Sequence, residues 1–310
     1  MPIIDFHAHA FPDSIHRFLP ASLRSQAKFW LKPVMKSIHQ AQPYMRLVPD
    51  SIRKKTDELS ALLPLPGLLI ESTTQDLLLA MERSSVDKTV LIAHPPHMSN
   101  EFILKMCQAH PEQLIAAVNV PVGQKSPGAK LKEYIAEGAK LLKIHASADN
   151  EGADSPRYKA LLKVASKAKL PVILHTGCFH SHIFYKNPEA SHAQNFAPWF
   201  KDYPETQFIL AHMNFNEPSV AFDLAEDYPN VHVDTSWQPS EIIGEAVRRI
   251  GAERVLFGTD WPFIGSNISV GLKRIQDCVN ANLITSEDSD LILGGNAVKL
   301  LGLAASDAGT

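Results

Sequence analysis

The sequence predicts a (β/α)8 barrel, and three observations support that prediction. Eight short, continuously apolar runs recur along the 310 residues, and segments with apolar residues at helical spacing separate them. Continuous rather than alternating apolar runs are typical of parallel strands that helices cover on both faces. Eight such units favour a closed barrel over an open sheet. The G-x-G-x-x-G fingerprint of an open dinucleotide-binding sheet does not follow the first run.

The predicted strands are short and bounded by polar or turn-forming residues. They span residues 3–6, 88–93, 114–120, 139–145, 171–175, 207–212, 231–234 and 254–257. The predicted helices between them carry apolar residues at i, i+3 and i+4. They span residues 75–84, 101–110, 131–137, 158–168, 193–203, 219–227, 241–250 and 268–281.

The connection between the first and second predicted strands is longer than a βα unit requires. Residues 17–70, which follow the first strand, are predicted to be a helical insertion over the barrel mouth. The insertion carries nine basic and three acidic side chains, so it is expected to attract an anionic substrate, with a solvated charged surface as the alternative. We expect a single domain over residues 1–303 and a disordered tail at residues 304–310.

Composition excludes several classes of function. Lys and Arg number 30 against 33 Asp and Glu, so no chain-wide charge predicts binding to nucleic acid or to a membrane. The cysteines Cys107, Cys178 and Cys278 are far apart, which fits neither a disulfide framework nor a zinc ribbon. Without a signal-like start or a long apolar stretch, the chain is expected to be a cytoplasmic soluble protein that acts on a small molecule, and a homo-oligomer is compatible with it.

The predicted strand ends carry side chains that bind metal ions or move protons. These are His7, His9, Lys143, His145, His175, His212 and Asp260. In a parallel barrel all these ends open on one mouth. Residues two apart on a strand face the same way about 6 to 7 Å apart, so His7 and His9 can reach one ion with bonds of ~2.1 Å. The sequence therefore predicts a metal site at the mouth.

The order of these motifs resembles the amidohydrolase superfamily of metal-dependent barrel enzymes. Within it, the chain is similar to the amidohydrolase 2 group, which includes aminocarboxymuconate semialdehyde decarboxylase and many hydrolases. The resemblance spans essentially the whole chain. It rests on residues 4–9 (IDFHAH), 143–145 (KIH), 173–177 (ILHTG), 210–213 (LAHM), 233–236 (VDTS), 258–262 (GTDWP) and 294–297 (GGNA).

The resemblance implies that one divalent ion, most often Zn²⁺ with Mn²⁺ as the other candidate, is bound by His7, His9, His175 and Asp260. His212 would lie close by and orient or deprotonate a water molecule. Chemistry supports this set independently, because imidazole and carboxylate suit Zn²⁺. A bound Zn²⁺ lowers the pKa of its water to roughly 7, so hydroxide is available at neutral pH.

Five further residues at the mouth have more than one candidate role. Lys143 occupies the position of a carboxylated, metal-bridging lysine in some two-metal members, although the one-metal form is expected here. His145 shares its face and could contact either substrate or metal. Phe11, Trp237 and Trp261 follow strand ends and could wall a pocket for a flat substrate, or pack under loops.

The leading hypothesis is a metal-dependent hydrolase of an amide, ester or lactone. A metal-activated water would attack the carbonyl, Asp260 would take and return the proton, and His212 would help to hold the developing charge. The alternative is a nonoxidative decarboxylase of an unsaturated or aromatic acid. It needs a cation for the substrate carboxylate, and only Lys143 or the insertion could supply one, which favours hydrolysis. A non-catalytic metal-binding barrel is the third hypothesis, and the presence of Asp260 and His212 counts against it.

Overall fold

The computed structural model of the chain describes residues 1–60, 62, 64–263 and 267–303. Eight parallel strands, β1 to β8, form one sheet in the order of the sequence, so the predicted (β/α)8 barrel is confirmed. They are Ile4–Ala8, Lys88–Ile92, Leu114–Val118, Leu141–Ile144, Val172–His175, Phe208–Ala211, Val231–Asp234 and Val255–Leu256.

The α-helices lie around and across this barrel. α1 to α14 are Ala21–Ala41, Asp50–Ser60, Pro64–Ile70, Thr74–Ser84, Asn100–Ala109, Pro127–Ala136, Ala146–Asp149, Pro156–Lys167, Ala197–Asp202, Pro218–Asp227, Ser240–Ile250, Asn267–Asn280, Ser286–Asp290 and Asn296–Leu301. The helix predicted at 193–203 is shorter than expected, because a 3-10 turn precedes α9. No helix within the described ranges has the length and apolar character to cross a membrane.

Backbone hydrogen bonds close the barrel between its first and last strands. Phe6 N donates to Phe257 O at 2.7 Å, and His9 N donates to Trp261 O at 2.6 Å. The buried carboxylate of Asp5 accepts from Thr259 Oγ1 at 2.6 Å across the same junction. We call this junction of β1 with residues 257–261 the seam.

Apolar side chains fill both layers of the fold. The smaller cluster lies inside the barrel and includes Ile4, Phe6 and Ile173, while the larger one lies between the strands and the helices. The last helices cover the end opposite the mouth, and Gly294 allows their close approach to the start of β1. A Cβ at this glycine would lie 1.8 Å from Pro2 O, so a larger residue does not fit there.

The insertion forms α1, α2 and α3, with a 3-10 turn, Gln42–Leu47, between α1 and α2. α2 contacts the loop that follows β5, where Asp57 Oδ2 accepts from His180 N at 2.9 Å. Lys28 and Lys32 each lie 3.1 Å from the carboxylate of Glu71. These ion pairs offset part of the positive charge that the count of basic residues indicated. The predicted disordered tail at 304–310 lies outside the described residues.

Candidate metal centre

A β-bulge in β1 turns two histidines towards the inside of the barrel. Asp5 pairs with Thr89 and Ala8 with Leu91, so β1 has one residue more than β2 over this stretch. A bulge of this kind changes which side chains face inward. Ile4 and Phe6 fill the barrel interior, and after the bulge His7 takes up the inward direction. The two histidines therefore lie directly above the apolar side chains that fill the barrel interior.

The hydrogen bonds of His7 and His9 fix the protonation of both rings. His7 Nδ1 lies 2.8 Å from Asp234 Oδ2, and His9 Nδ1 lies 3.0 Å from Ile92 O. A carboxylate and a carbonyl only accept, so both rings donate from Nδ1 and keep a lone pair on Nε2. This is the arrangement in which protein groups hold a metal-binding histidine.

Asp260 brings a carboxylate to both free nitrogens. Its Oδ1 lies 3.4 Å from His7 Nε2 and 3.1 Å from His9 Nε2. Two ligands bound at ~2.1 Å to one tetrahedral ion are about 3.4 Å apart, so these separations match a shared metal. Neutral Nε2 lone pairs cannot hydrogen bond to a carboxylate oxygen, whereas a divalent cation between them satisfies all three. The residues therefore fit a divalent ion.

The electrostatic environment supports neutral imidazoles beside an ionised carboxylate. Burial lowers the pKa of His7 well below its ordinary value. Burial alone would raise the pKa of Asp260, but the neighbouring His7, His9 and His212 outweigh it and bring this pKa well below its ordinary range. Lone pairs and negative charge are thus present at neutral pH, as binding of a divalent cation requires.

Asp234 links this cluster to His212, and the sequence analysis did not identify it as a site residue. Its Oδ1 accepts from His212 N at 3.0 Å and from Ser236 Oγ. Since Ser236 Oγ donates to Asp234, the 2.7 Å contact of His212 Nδ1 with Ser236 Oγ is a donation by the ring. His212 Nε2 is therefore a free acceptor. The visible signal was an acidic residue at the end of β7, in the stretch VDTS.

His175 was predicted as the fourth ligand, and the structure places it differently from the other three. His7, His9 and Asp260 offer ligand atoms that all lie within 4.8 Å of one another, and within the described residues His175 is not part of that group. Its ring stacks on His145 with 3.7 Å between centroids and lies 4.9 Å from the ring of His212. Ligation by His175 remains a prediction.

Lys143 is a buried cation at the same mouth. Its residue is 2% exposed, and its Nζ has no hydrogen-bond partner in the described part of the chain. Burial lowers the pKa of Lys143 to about 8, although Asp234 and Asp260 act in the opposite direction. Within the described residues, Lys143 Nζ therefore forms no hydrogen bond to a carboxylate of the barrel.

The predicted aromatic wall is only partly as expected. Trp237 Nε1 donates to Asp260 Oδ2 at 2.6 Å, which places this ring at the cluster. Trp261 has no exposed surface and packs in the larger apolar core, which corresponds to the alternative of ordinary packing. Phe11 is half-buried, 6.3 Å from the ring of Phe263, which itself lies 5.3 Å from the ring of His9. Phe263 was not anticipated.

The family model described as Amidohydrolase matches residues 4–303. The chain belongs to the amidohydrolase family. The predicted resemblance, and with it a metal-dependent enzyme of the amidohydrolase type, is thereby confirmed. Which reaction this amidohydrolase catalyses is a finer question that the family alone leaves open.

Among curated proteins, this amidohydrolase is similar to a gamma-resorcylate decarboxylase of Rhizobium sp. The two are 24% identical over 253 residues, which cover 66% of this chain and 75% of the relative.

Solved structures share the fold of this amidohydrolase. A 5-carboxyvanillate decarboxylase from Sphingomonas paucimobilis is 14% identical with a TM-score of 0.68, covering 98% of this chain and 99% of that chain. A dihydroxybenzoic acid decarboxylase from Polaromonas sp., with bound manganese and 2-nitroresorcinol, is 17% identical with a TM-score of 0.65, covering 99% and 98%. A 4-oxalomesaconate hydratase from Rhodopseudomonas palustris is 15% identical with a TM-score of 0.61, covering 97% and 95%.

Proposed function

We propose that the chain is a metal-dependent nonoxidative decarboxylase of an aromatic or otherwise unsaturated carboxylic acid. The observation that carries the proposal is the ammonium of Lys143, which is buried and without a hydrogen-bond partner in the described structure. Leaving a buried charge unpaired is costly. A substrate carboxylate would supply the missing partner. At the sequence level hydrolysis was favoured because only Lys143 or the insertion could supply a cation for the substrate carboxylate. A buried Lys143 without a hydrogen-bond partner is such a cation, so this argument no longer favours hydrolysis.

Proteins similar to this chain support the same reaction class. The curated relative is named a decarboxylase, and two of the solved structures described above are decarboxylases of substituted aromatic acids. The leading hypothesis of hydrolysis has weaker support than its alternative. We therefore propose decarboxylation first.

The metal would be held by His7, His9 and Asp260, with Mn²⁺ and Zn²⁺ as the two candidates. Manganese is the ion in one solved structure of the same fold. When bound, a divalent ion acts as a Lewis acid that stabilises negative charge developing on substrate oxygens. The predicted preference for Zn²⁺ is part of this proposal.

The residues around the metal divide the remaining tasks. Lys143 Nζ binds and orients the carboxylate. The bond between this carboxylate and its carbon then breaks, the electron pair stays on the carbon, CO2 leaves, and a proton takes its place. Asp260 is the carboxyl group placed to deliver that proton, and because it rests ionised it first accepts one from solvent water. Trp237 Nε1 holds Asp260 in position through its hydrogen bond.

Hydrolysis remains a second candidate because of one specific observation. The ionised Asp260 and the free Nε2 of His212 are both bases in the resting site. Two bases beside a metal site are suited to removing a proton from water. A substrate panel must therefore contain both acids and hydrolysable compounds.

The test is CO2 release and hydrolysis measured side by side on the metal-reconstituted protein. The panel comprises hydroxybenzoates, unsaturated dicarboxylic acids, lactones and esters. Lys143→Met should lower kcat/KM for the decarboxylated acid by about 100-fold, because it removes the partner of a buried charge. Lys140→Met, at an exposed lysine directly before β4, is the matched control and should leave turnover unchanged.

Three results would count against the proposal. Turnover of lactones or esters without any CO2 release would replace it with hydrolysis. Full activity after chelation, or in His7→Ala protein that has lost its metal, would reject both metal-dependent reactions. The mass of a carboxyl group on Lys143, together with two metal equivalents, would contradict its role as a free ammonium.

A further inference from the structure

The loop that follows β5 carries Tyr185 to the barrel mouth. Glu58 on α2 accepts a hydrogen bond from His182 N at 2.6 Å and another from Ser181 Oγ at 2.9 Å. Tyr185 N in turn donates to Ser181 O at 2.9 Å, which closes a turn. The backbone at Tyr185 is therefore fixed by contacts with the insertion.

His145 contacts the hydroxyl of Tyr185, and the position of the ring proton of His145 determines which of the two groups donates. Ala148 N donates to His145 Nδ1 at 3.3 Å, so this nitrogen carries a lone pair and the ring proton is on Nε2. His145 Nε2 lies 3.3 Å from Tyr185 Oη. His145 is therefore the donor in this contact, and the phenolic proton of Tyr185 is left over.

The phenolic proton of Tyr185 lies at the barrel mouth. Its ring lies 5.1 Å from the ring of His145 and 6.5 Å from the ring of His175, both at ends of barrel strands. Burial raises the pKa of Tyr185, and the charge of Asp260 on the far side of the mouth raises it further. Within the described residues, the hydroxyl has a hydrogen-bond contact with His145 alone. Tyr185 is half-buried, so this donor is open to an acceptor on a molecule bound at the mouth.

We infer that Tyr185 is a specificity-determining residue whose hydroxyl donates a hydrogen bond to an oxygen substituent of the substrate. The inference rests on the proposed function and extends it, since Lys143 recognises the carboxylate and Tyr185 recognises a second oxygen. The substrate class is then an aromatic or unsaturated acid with a hydroxyl or carbonyl group on its carbon skeleton. An acid that lacks this group leaves the phenolic donor unpaired, which costs affinity.

The test compares the binding of benzoate with that of its ortho-, meta- and para-hydroxy derivatives. Dissociation constants are measured by calorimetry on metal-loaded wild type and Tyr185→Phe. At least one hydroxybenzoate should bind wild type about 3- to 10-fold more tightly than benzoate, the range expected for one net hydrogen bond. Tyr185→Phe should abolish this preference and leave the affinity for benzoate unchanged. Tyr203→Phe, at a tyrosine on the outer side of the barrel after α9, should retain it.

Two outcomes would overturn the inference. One is wild-type protein that does not discriminate among the four acids, including no detectable binding of any. The other is a preference that persists in Tyr185→Phe. Release of CO2 is measured in parallel, so the two proposals fail separately. A preference that depends on Tyr185 without CO2 release rejects decarboxylation alone, whereas CO2 release without the preference rejects the role of Tyr185 alone.

Discussion

Asp234 is the residue on which the geometry of the metal-type cluster, the group formed by His7, His9 and Asp260, depends. It accepts from the ring of His7 at 2.8 Å and from the backbone of His212 at 3.0 Å. Burial is the main reason that the pKa of Asp234 is raised, with hydrogen bonds and His212 opposing it. These contacts orient the imidazole of His7 and hold the backbone of His212 without any need for Asp234 to bind the metal.

Removing this acceptor should weaken metal binding while leaving the ligands in place. We expect Asp234→Asn to reduce metal affinity by roughly 10- to 100-fold, the usual effect of losing a group that orients a ligand. Competition with a chelator of known affinity measures the change. Asp202→Asn, at an exposed position on α9, is the control. Unchanged affinity in Asp234→Asn would show that His7 needs no orienting partner.

His232 gives a prediction about pH that is separate from the metal site. Its Nε2 donates to Gln207 Oε1 at 2.8 Å, and burial, together with Arg254 and Lys299, lowers the pKa of His232 to about 4. The unfolded chain takes up a proton near the ordinary value of 6.5, which the folded protein does not. The stabilisation is therefore complete above pH 6.5 and is lost as the pH falls towards 4.

The corresponding experiment is chemical denaturation between pH 7 and pH 4. His232→Gln should remove up to about 1.4 kcal/mol per pH unit from the dependence of unfolding free energy on pH in this window, the slope for one proton. His97→Gln, at an exposed histidine, should keep the wild-type slope. Equal slopes for wild type and His232→Gln would contradict a lowered pKa at His232.

At the scale of secondary-structure elements, α2 and the loop after β5 hold each other in place. Glu58 accepts from two backbone N–H groups and one hydroxyl of that loop, at His182, Ile183 and Ser181. These contacts join segments that are more than 120 residues apart in sequence, as the separation of 123 between Ser181 and Glu58 illustrates. The cover of the mouth is thus built from two elements.

Loss of Glu58 should loosen the loop and lower activity without affecting the barrel. In Glu58→Ala we expect faster hydrogen exchange at residues 181–185 and a fall in kcat/KM of about tenfold or more, since small displacements of positioning groups are costly. Metal content should stay at the wild-type level. Glu82→Ala on α4 is the control. Wild-type exchange across the loop in Glu58→Ala would show that other contacts are sufficient.

The sequence predicts strand ends well because apolar runs and their limits are local features. His7, His9 and Asp260 could be placed together from topology alone, since parallel strands of a barrel open on one mouth. The direction in which a side chain beyond a strand end points is not a local feature, which is why the sequence left both a pocket wall and packing open for Trp261. The bulge in β1 depends on its register with β2, and the partner of Lys28 depends on where Glu71 folds. These contacts arise only from tertiary packing.

For the molecule as a whole, the metal-type cluster coincides with the seam of the barrel. His7 belongs to the first strand, His9 follows it directly, and Asp260 follows the last strand. Asp260 N also donates to His7 O at 2.7 Å, so ligand geometry and barrel closure depend on the same backbone. A bound ion would hold both sides of this junction together.

Metal loading should therefore protect the seam selectively. At a free metal concentration of about 100 times Kd, the stabilisation available is ~2.7 kcal/mol, which slows exchange from a metal-free open state by about 100-fold. We expect slower amide exchange at Phe6, His9 and Asp260, measured with and without metal. The amides of Leu142 and Val172, between other strands, are the reference. Equal slowing at all positions would mean that the ion stabilises the barrel uniformly.

The seam also sets the order in which the protein can mature during synthesis. Asp5 and Thr259 are 254 positions apart, so β1 leaves the ribosome long before its partner exists. Until then, the nascent sheet has two unpaired edges, which favours transient association with other chains. Contacts of such long range form slowly. His7 and His9 therefore meet Asp260 only after the last strand has been synthesised, and a nascent chain that stalls before residue 257 lacks the third residue of the site.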